Sequence, residues 1–238
     1  MKARICMKAK FFDDPETFHN EAVNLIYKLY EESIEKNKLF TLMLSGGRTP
    51  LPIYEKLASE YKDKINWEKV HIFWGDERYV DQKSEDSNYK WAHDLLISKI
   101  NIPTNNVHRI KTELPIEKAS QECEKEIINF FGEQNPLFDL ILLGIGEDGH
   151  TVSLFPSSDT LKENKKLFTV TPPSGTPKVP RITATYKLLN NARNILFLSS
   201  YKRKEQVIDE ILNNPKIAEE KYPAAKIKVK NTYFFIKI

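Results

Sequence analysis

Three times within the first 150 residues, a short apolar run is stopped by a glycine-bearing polar turn and followed by residues at helical spacing. Residues 39–44 end at Ser45-Gly46-Gly47, Val70–Trp74 ends at Gly75-Asp76-Glu77-Arg78, and residues 138–143 end at Gly144-Ile145-Gly146-Glu147-Asp148-Gly149-His150. Such runs read as strands buried on both faces, and apolar residues recurring at three- and four-residue steps read as helices packed through one face. The first helix begins behind an Asp14 N-cap and Pro15, and carries Phe18, Ala22, Leu25, Ile26, Leu29 and Ile34 on one side. Thr49-Pro50 is expected to cap a second helix ending near Glu60. Further helices are expected over 88–100 (through Trp91, Leu95 and Leu96) and Ile116–Phe131, with a short one opening near Thr151.

The last third is less regular. Strands are expected over 167–170, 181–185, 194–199 and 232–236 and a helix over 202–212, with Pro172, Pro173, Pro177 and Pro180 marking a loop. Strand-helix alternation implies an α/β fold: a mainly parallel sheet with helices on both faces, since parallel neighbours need a crossover, plus a small C-terminal strand-rich part. Without a repeat or low-complexity linker, 1–238 reads as a single domain. The polar turns at the strand carboxyl ends then share one edge, where open α/β sheets bind ligands.

Composition narrows the class of function. With 40 % apolar and 29 % charged residues, the chain matches ordinary globular proteins, and a formal charge of +3 spread over scattered lysines argues against a nucleic-acid surface. The start lacks the apolar stretch of a secretory signal and no run is long enough to span a membrane, so the expected location is cytoplasmic. Cys6 and Cys123 have no metal-ligand spacing, and Cys123 falls in a helical apolar series, as a core residue would.

Three features suit chemistry. Ser45, Gly46, Gly47 and Arg48 precede a helix N-terminus, an arrangement that lets loop amides approach an anion, although the same turn also serves as a plain strand-to-helix connection. Asp76, Glu77 and Arg78 follow a buried strand, where charges cost little if they face a crevice, so all three are expected to face one; a salt-bridged loop is the alternative. His150 stands at a strand mouth after three glycines and beside Asp148, so its imidazole can be open to ligand yet oriented by a carboxylate, as a general base requires. His19, His71, His93 and His108 read as structural or solvated. With no nucleophile elbow and no metal-ligand pair, water is the simplest nucleophile.

Taken together, Leu44-Ser45-Gly46-Gly47-Arg48-Thr49-Pro50, Trp74-Gly75-Asp76-Glu77-Arg78, Ser87-Asn88-Tyr89 and the stretch from Leu143 through His150 to Phe155-Pro156 resemble the 6-phosphogluconolactonase family. The resemblance runs from about Phe11 to Phe235 and takes in Arg181-Ile182-Thr183 and Lys204. It implies a Rossmann-like fold shared with glucosamine-6-phosphate deaminases, His150 as general base with Asp148 beside it, and Arg78, Arg181 and Lys204 with the Ser45-Gly46-Gly47 turn at a substrate phosphate. Neither metal nor organic cofactor is implied. The implied partner is a small sugar phosphate, with no nucleic acid or membrane, for a monomer or weak homo-oligomer. Arg48, Tyr201 and Lys237 depart from the family pattern. The alternative, deaminase-like aldose-ketose chemistry, fits less well: deaminases resemble one another in an Asp-Glu-Tyr loop and a Gly-His-Ile-Ala-Phe-Asn-Glu stretch, where this chain has Asp76-Glu77-Arg78 and Gly149-His150-Thr151-Val152-Ser153-Leu154-Phe155. A sugar-phosphate sensor without catalysis is a third reading, opposed by the retention of His150 and Asp148.

Overall fold

The computed structural model describes residues 6–132 and 136–238, excepting the side chains of residues 6 and 7. The readings of the extreme N-terminus and of the Cys6 side chain lie outside the described residues. In chain order the elements are β1 (Cys6–Phe12), α1 (Pro15–Asn37), β2 (Phe40–Leu44), α2 (Leu51–Glu60), β3 (Val70–Trp74), β4 (Asp76–Arg78), α3 (Asn88–Leu95), β5 (Val107–His108) and α4 (Ile116–Phe131). There follow β6 (Leu140–Leu143), β7 (Phe168–Ser174), β8 (Val179–Ala184), α5 (Tyr186–Leu189), β9 (Asn194–Ser200), α6 (Glu205–Asn213), α7 (Pro215–Lys221) and β10 (Asn231–Lys237).

Local chemistry sets these boundaries. Asp14 Oδ2 accepts from Thr17 N at 2.7 Å and from Thr17 Oγ1 at 2.6 Å, satisfying N-terminal donors of α1 that have no partner within the helix. The inner face of α1 buries Phe18, Ala22, Val23, Ile26, Leu29 and Tyr30, and the chain leaves the helix at Lys38 in a left-handed conformation. Every residue of β2 and β6 is buried, as expected of central strands covered on both faces.

Seven strands form a wholly parallel sheet in the order β1-β10-β9-β6-β2-β3-β5. From β2 the chain moves outward to β3 and β5, and α4 then returns it to β6 on the other side of β2. The order therefore reverses between β2 and β6, and their carboxyl ends part to leave a crevice. Buried Asp139 ties the opposite end: its Oδ2 accepts from Thr41 N and Thr41 Oγ1, both at 2.9 Å, while Arg193 Nε lies 3.2 Å from its Oδ1. This buried, doubly bonded charge fixes how β6 sits against β2, and so where their turns emerge.

A second, antiparallel sheet has the order β4-β8-β7. It corrects the sequence reading at several points. Asp76-Glu77-Arg78 is a strand rather than a loop, because it pairs with Thr183, Ile182 and Arg181 of β8. Pro172, Pro173 and Pro180 lie within β7 and β8, where a register shift between Thr171 and Ser174 accommodates them, and Pro177 alone of the four falls in the connecting turn. The strand-rich C-terminal part is thereby divided: β9 and β10 join the large sheet, whereas β7 and β8 recruit β4 from far upstream.

Four helix expectations also differ. No helix forms near Thr151; the chain makes a tight turn in which Leu154 N donates to Thr151 O at 3.0 Å and Val152 takes a φ of 45°. The expected helix over 88–100 ends at Leu95 and passes into a single 3₁₀ turn, and α6 starts at Glu205 rather than 202 because Arg203 has a φ of 69°. The N-cap of α2 is Pro50, without a side-chain cap from Thr49. Cys123 is buried as expected.

Candidate active site

The turns after β2, β6 and β9, the strand β4 and the connection between β7 and β8 enclose a cleft of about 740 Å³. Ser45, Gly46, Gly47, Arg48, Asp76, Arg78, Asp148, His150, Arg181 and Lys204 all line it, whereas Glu77, expected at the same crevice, does not. A cavity beside Trp74, His108 and Cys123 measures only about 10 Å³, too small for an organic ligand.

The loop after β6 is built to carry an imidazole. Gly146 N donates to His150 O at 2.8 Å, so the loop closes on itself, and the His150 ring lies directly over Gly146: a Cβ there would stand 2.1 Å from His150 Nδ1. Only glycine allows this approach. Asp148 Oδ1 accepts from His150 N at 3.1 Å and from His150 Nδ1 at 2.5 Å. Burial acts on the Asp148 carboxyl in the opposite direction, yet the His150 hydrogen bonds and charge leave it below its ordinary value of 3.8. An ionised carboxylate can only accept, so Nδ1 carries a proton toward Asp148 and Nε2 is the nitrogen left to exchange one in the cleft.

Downstream of His150 the same loop is pinned by the small sheet. Fully buried Ser153 donates from Oγ to Asp76 Oδ2 at 2.5 Å and from N to Thr183 Oγ1 at 3.1 Å, and its carbonyl accepts from Thr171 Oγ1 at 3.0 Å. All three strands β4, β7 and β8 thus hold the His150 loop. Asp76 therefore works largely as a brace, since its other carboxylate oxygen faces Asn88 Nδ2 at 3.4 Å. Glu77, on the opposite side of β4, points into the protein rather than the crevice. Its carboxylate gathers Arg78 N, Ser87 Oγ, Asn88 N and Tyr89 N at 2.7–3.0 Å, while burial pushes its pKa up to about 7 against those donors.

Cations dominate the cleft wall: Arg48, Arg78, Arg181, Lys202, Arg203 and Lys204 face Asp76, Glu147 and Asp148. Their engagements differ. Arg181 is 3 % exposed and donates from Nε to Ser174 O and from Nη2 to Pro177 O, so part of its fork secures the β7-β8 turn. Burial lowers its pKa, as it does for Lys204, whose Nζ donates to Ser199 Oγ at 3.4 Å and has no carboxylate within salt-bridge distance among the described residues. Arg78 Nη1 donates to Asp86 O at 2.7 Å, and its buried Nε has no partner among the described residues.

In the first glycine turn, both backbone groups of Ser45 are taken by the fully buried Tyr54 hydroxyl, which accepts from Ser45 N at 3.2 Å and donates to Ser45 O at 2.6 Å. That leaves the Gly46 and Gly47 amides as the donors this turn can offer an anion. Asn88 is packed so closely on Gly46 that a Cβ would lie 2.0 Å from Asn88 Oδ1. Sequence reasoning missed Lys202 and Arg203, although a Lys-Arg-Lys run directly after a buried strand is a legible signal. Arg203 Nη2 pairs with Glu147 Oε1 at 2.6 Å across the mouth of the cleft.

A family model described as glucosamine-6-phosphate isomerases/6-phosphogluconolactonase matches residues 13–235. The 6-phosphogluconolactonase of Thermotoga maritima is 46 % identical over 180 residues, covering 76 % of this chain and 77 % of its own, and that of Synechocystis is 41 % identical over 192 residues, covering 79 % and 77 %. Among solved structures, a Thermotoga maritima 6-phosphogluconolactonase superposes with a TM-score of 0.87 at 36 % identity, over 98 % of this chain and all of its own. That of Trypanosoma brucei gives 0.87 at 28 % identity, over 98 % and 97 %. A match over nearly the whole sequence, with relatives well above 30 % identity and the same arrangement of sheets, places this chain in the glucosamine-6-phosphate isomerase/6-phosphogluconolactonase family.

Proposed function

We propose that this chain hydrolyses 6-phospho-D-glucono-1,5-lactone to 6-phosphogluconate, the lactone-opening step of the oxidative pentose phosphate pathway, with His150 as the general base. The observation that carries the mechanism is the 2.5 Å hydrogen bond from His150 Nδ1 to Asp148, which presents Nε2 as the proton acceptor in a cleft lined by cations. In the proposed complex Lys204, Arg78, Arg181, Arg48 and the Gly46 and Gly47 amides hold the phosphate, and binding remote from the reacting carbon supplies orientation.

A water bonded to Nε2 adds through its oxygen to the C1 carbonyl as its proton passes to the imidazole. The resulting oxyanion is steadied by neighbouring N–H and cationic groups. Collapse of the adduct breaks the C1–ring oxygen bond, the imidazolium returns its proton to that oxygen, and the new carboxylic acid ionises in water. The reaction balances without a redox partner or cofactor. No helix among the described residues is long and apolar enough to cross a membrane. The proposal takes residues 1–238 as one catalytic unit acting in the cytosol as a monomer or weak homo-oligomer.

The test follows fresh 6-phosphogluconolactone against an enzyme-free blank, since the lactone also opens unaided. The expected result is acceleration far above the blank, with His150→Ala losing about 100- to 10,000-fold in kcat at nearly unchanged KM. A fully active His150→Ala removes that residue from the mechanism, and ammonia release from glucosamine 6-phosphate in place of lactone hydrolysis overturns the substrate assignment.

A further inference from the structure

The ring of Phe155 lies between two charged or chargeable groups of the cleft. Its centroid is 4.5 Å from that of His150 with 39° between the planes, and Arg181 Cζ stands 5.4 Å from it. Phe155 is only 8 % exposed, and a Cβ on Gly175, in the β7-β8 turn, would stand 2.9 Å from both Phe155 Cζ and Arg181 Nη2. Arg181 in turn is tied to Ser174 O and Pro177 O on either side of that glycine. The phenyl ring is therefore wedged between the imidazole, the guanidinium and the turn.

A hydrogen bond at Nδ1 fixes one point of an imidazole. It leaves the last torsion of the side chain poorly defined, because a terminal sp³–sp² torsion has broad minima. A flat apolar face against the ring removes that freedom and fixes where Nε2 points. Phe155 is well placed to do so, because Ser153, two residues before it, is bonded to all three strands of the small sheet, so Phe155 is fixed to a frame different from the one that holds Asp148.

We propose that Phe155 is a positioning residue for His150, a backstop held by Arg181 and the β7-β8 turn that, together with Asp148, sets the plane of the imidazole. Phe155 itself lines the cleft, and the role assigned to it is exercised on the base rather than on the reacting carbon. The inference rests on the reading of His150 as that base, and the experiment separates the two.

Phe155→Leu keeps apolar volume and removes the flat face. Displacement of a reacting group by about 1 Å can cost on the order of a hundredfold, so kcat is expected to fall about ten- to a hundredfold while KM stays within about twofold. The same substitution in a His150→Ala background, assayed with enough enzyme to exceed the unaided opening, is expected to cost nothing further, since the group it positions is gone. Phe155→Met, with circular dichroism and thermal melting on every variant, supplies the same readout should leucine fail to fold. Unchanged kcat in a folded Phe155 variant, or an equal loss with and without His150, overturns the proposal. Full activity of His150→Ala alone overturns the base reading instead, independently of what the Phe155 variants do.

Discussion

Asp148 Oδ1 stands 2.5 Å from Nδ1 of His150 and also accepts the main-chain N–H of that residue at 3.1 Å, so one carboxylate oxygen sets both the backbone and the ring. Asp148→Asn keeps the shape but can offer an N–H where the ring nitrogen needs an acceptor. It is expected to lower kcat about ten- to a hundredfold, the usual cost of losing an orienting partner, with KM little changed. Steady-state kinetics decide this, and wild-type kcat would assign the contact to loop structure alone.

Lys204 brings a charge to the cleft without a carboxylate partner among the described residues, held near Ser199. Lys204→Ala is expected to raise KM for the phosphorylated lactone about tenfold or more, the scale of a lost charge-assisted hydrogen bond. An unphosphorylated gluconolactone should show no comparable change. Equal effects on the two substrates would take Lys204 away from the phosphate.

Arg181 behaves differently, because Ser174 and Pro177 carbonyls occupy part of its guanidinium. Arg181→Lys keeps the charge and loses the planar fork, so it is expected to cost about 1.5–3 kcal/mol in stability through hydrogen bonds to a charged group. Denaturant unfolding measures this loss. An unchanged midpoint would show that the carbonyls are satisfied equally well without the fork.

The acid limb of stability has an identifiable contributor far from the cleft. His71 Nδ1 lies 3.0 Å from His108 Nε2, and His108 Nδ1 lies 2.9 Å from Glu126, in a partly buried row on β3, β5 and α4. Burial, and then the neighbouring His108, lower the His71 pKa from 6.5 to about 4. The folded chain therefore keeps His71 neutral where the unfolded chain takes up a proton. This stabilisation is fully present above pH 6.5 and drains away as pH falls toward 4. The Tm of the wild type is expected to drop over that window and that of His71→Asn to drop less; parallel curves would assign the acid loss to other groups.

Much of this architecture was legible because central parallel strands are simple signals: a run of four or five mostly apolar residues closed by a glycine-bearing turn. The β4 strand was not, since Asp76-Glu77-Arg78 has the composition of a loop and becomes a strand only through its partner in β8. The same pairing decides which acid meets the crevice, because alternation along a strand places Asp76 and Glu77 on opposite faces. β1 was passed over because it is an edge strand carrying Lys8 and Lys10, charges that guard an open edge and obscure the apolar pattern. His150 and Asp148 could be read from the glycines around them. The brace formed by Ser153 with Asp76, Thr171 and Thr183 could not, because its four members converge only in three dimensions.

That brace bears on how the protein is made. Asp76 and Thr183 are separated by more than a hundred residues, and Ser153 between them meets both partners only after β8 has left the ribosome. Parallel strands can begin to pair earlier, but a chain halted before Thr183 lacks β8 and one of the three partners that pin the loop of its histidine. Catalytic competence is therefore among the last properties that a growing chain acquires.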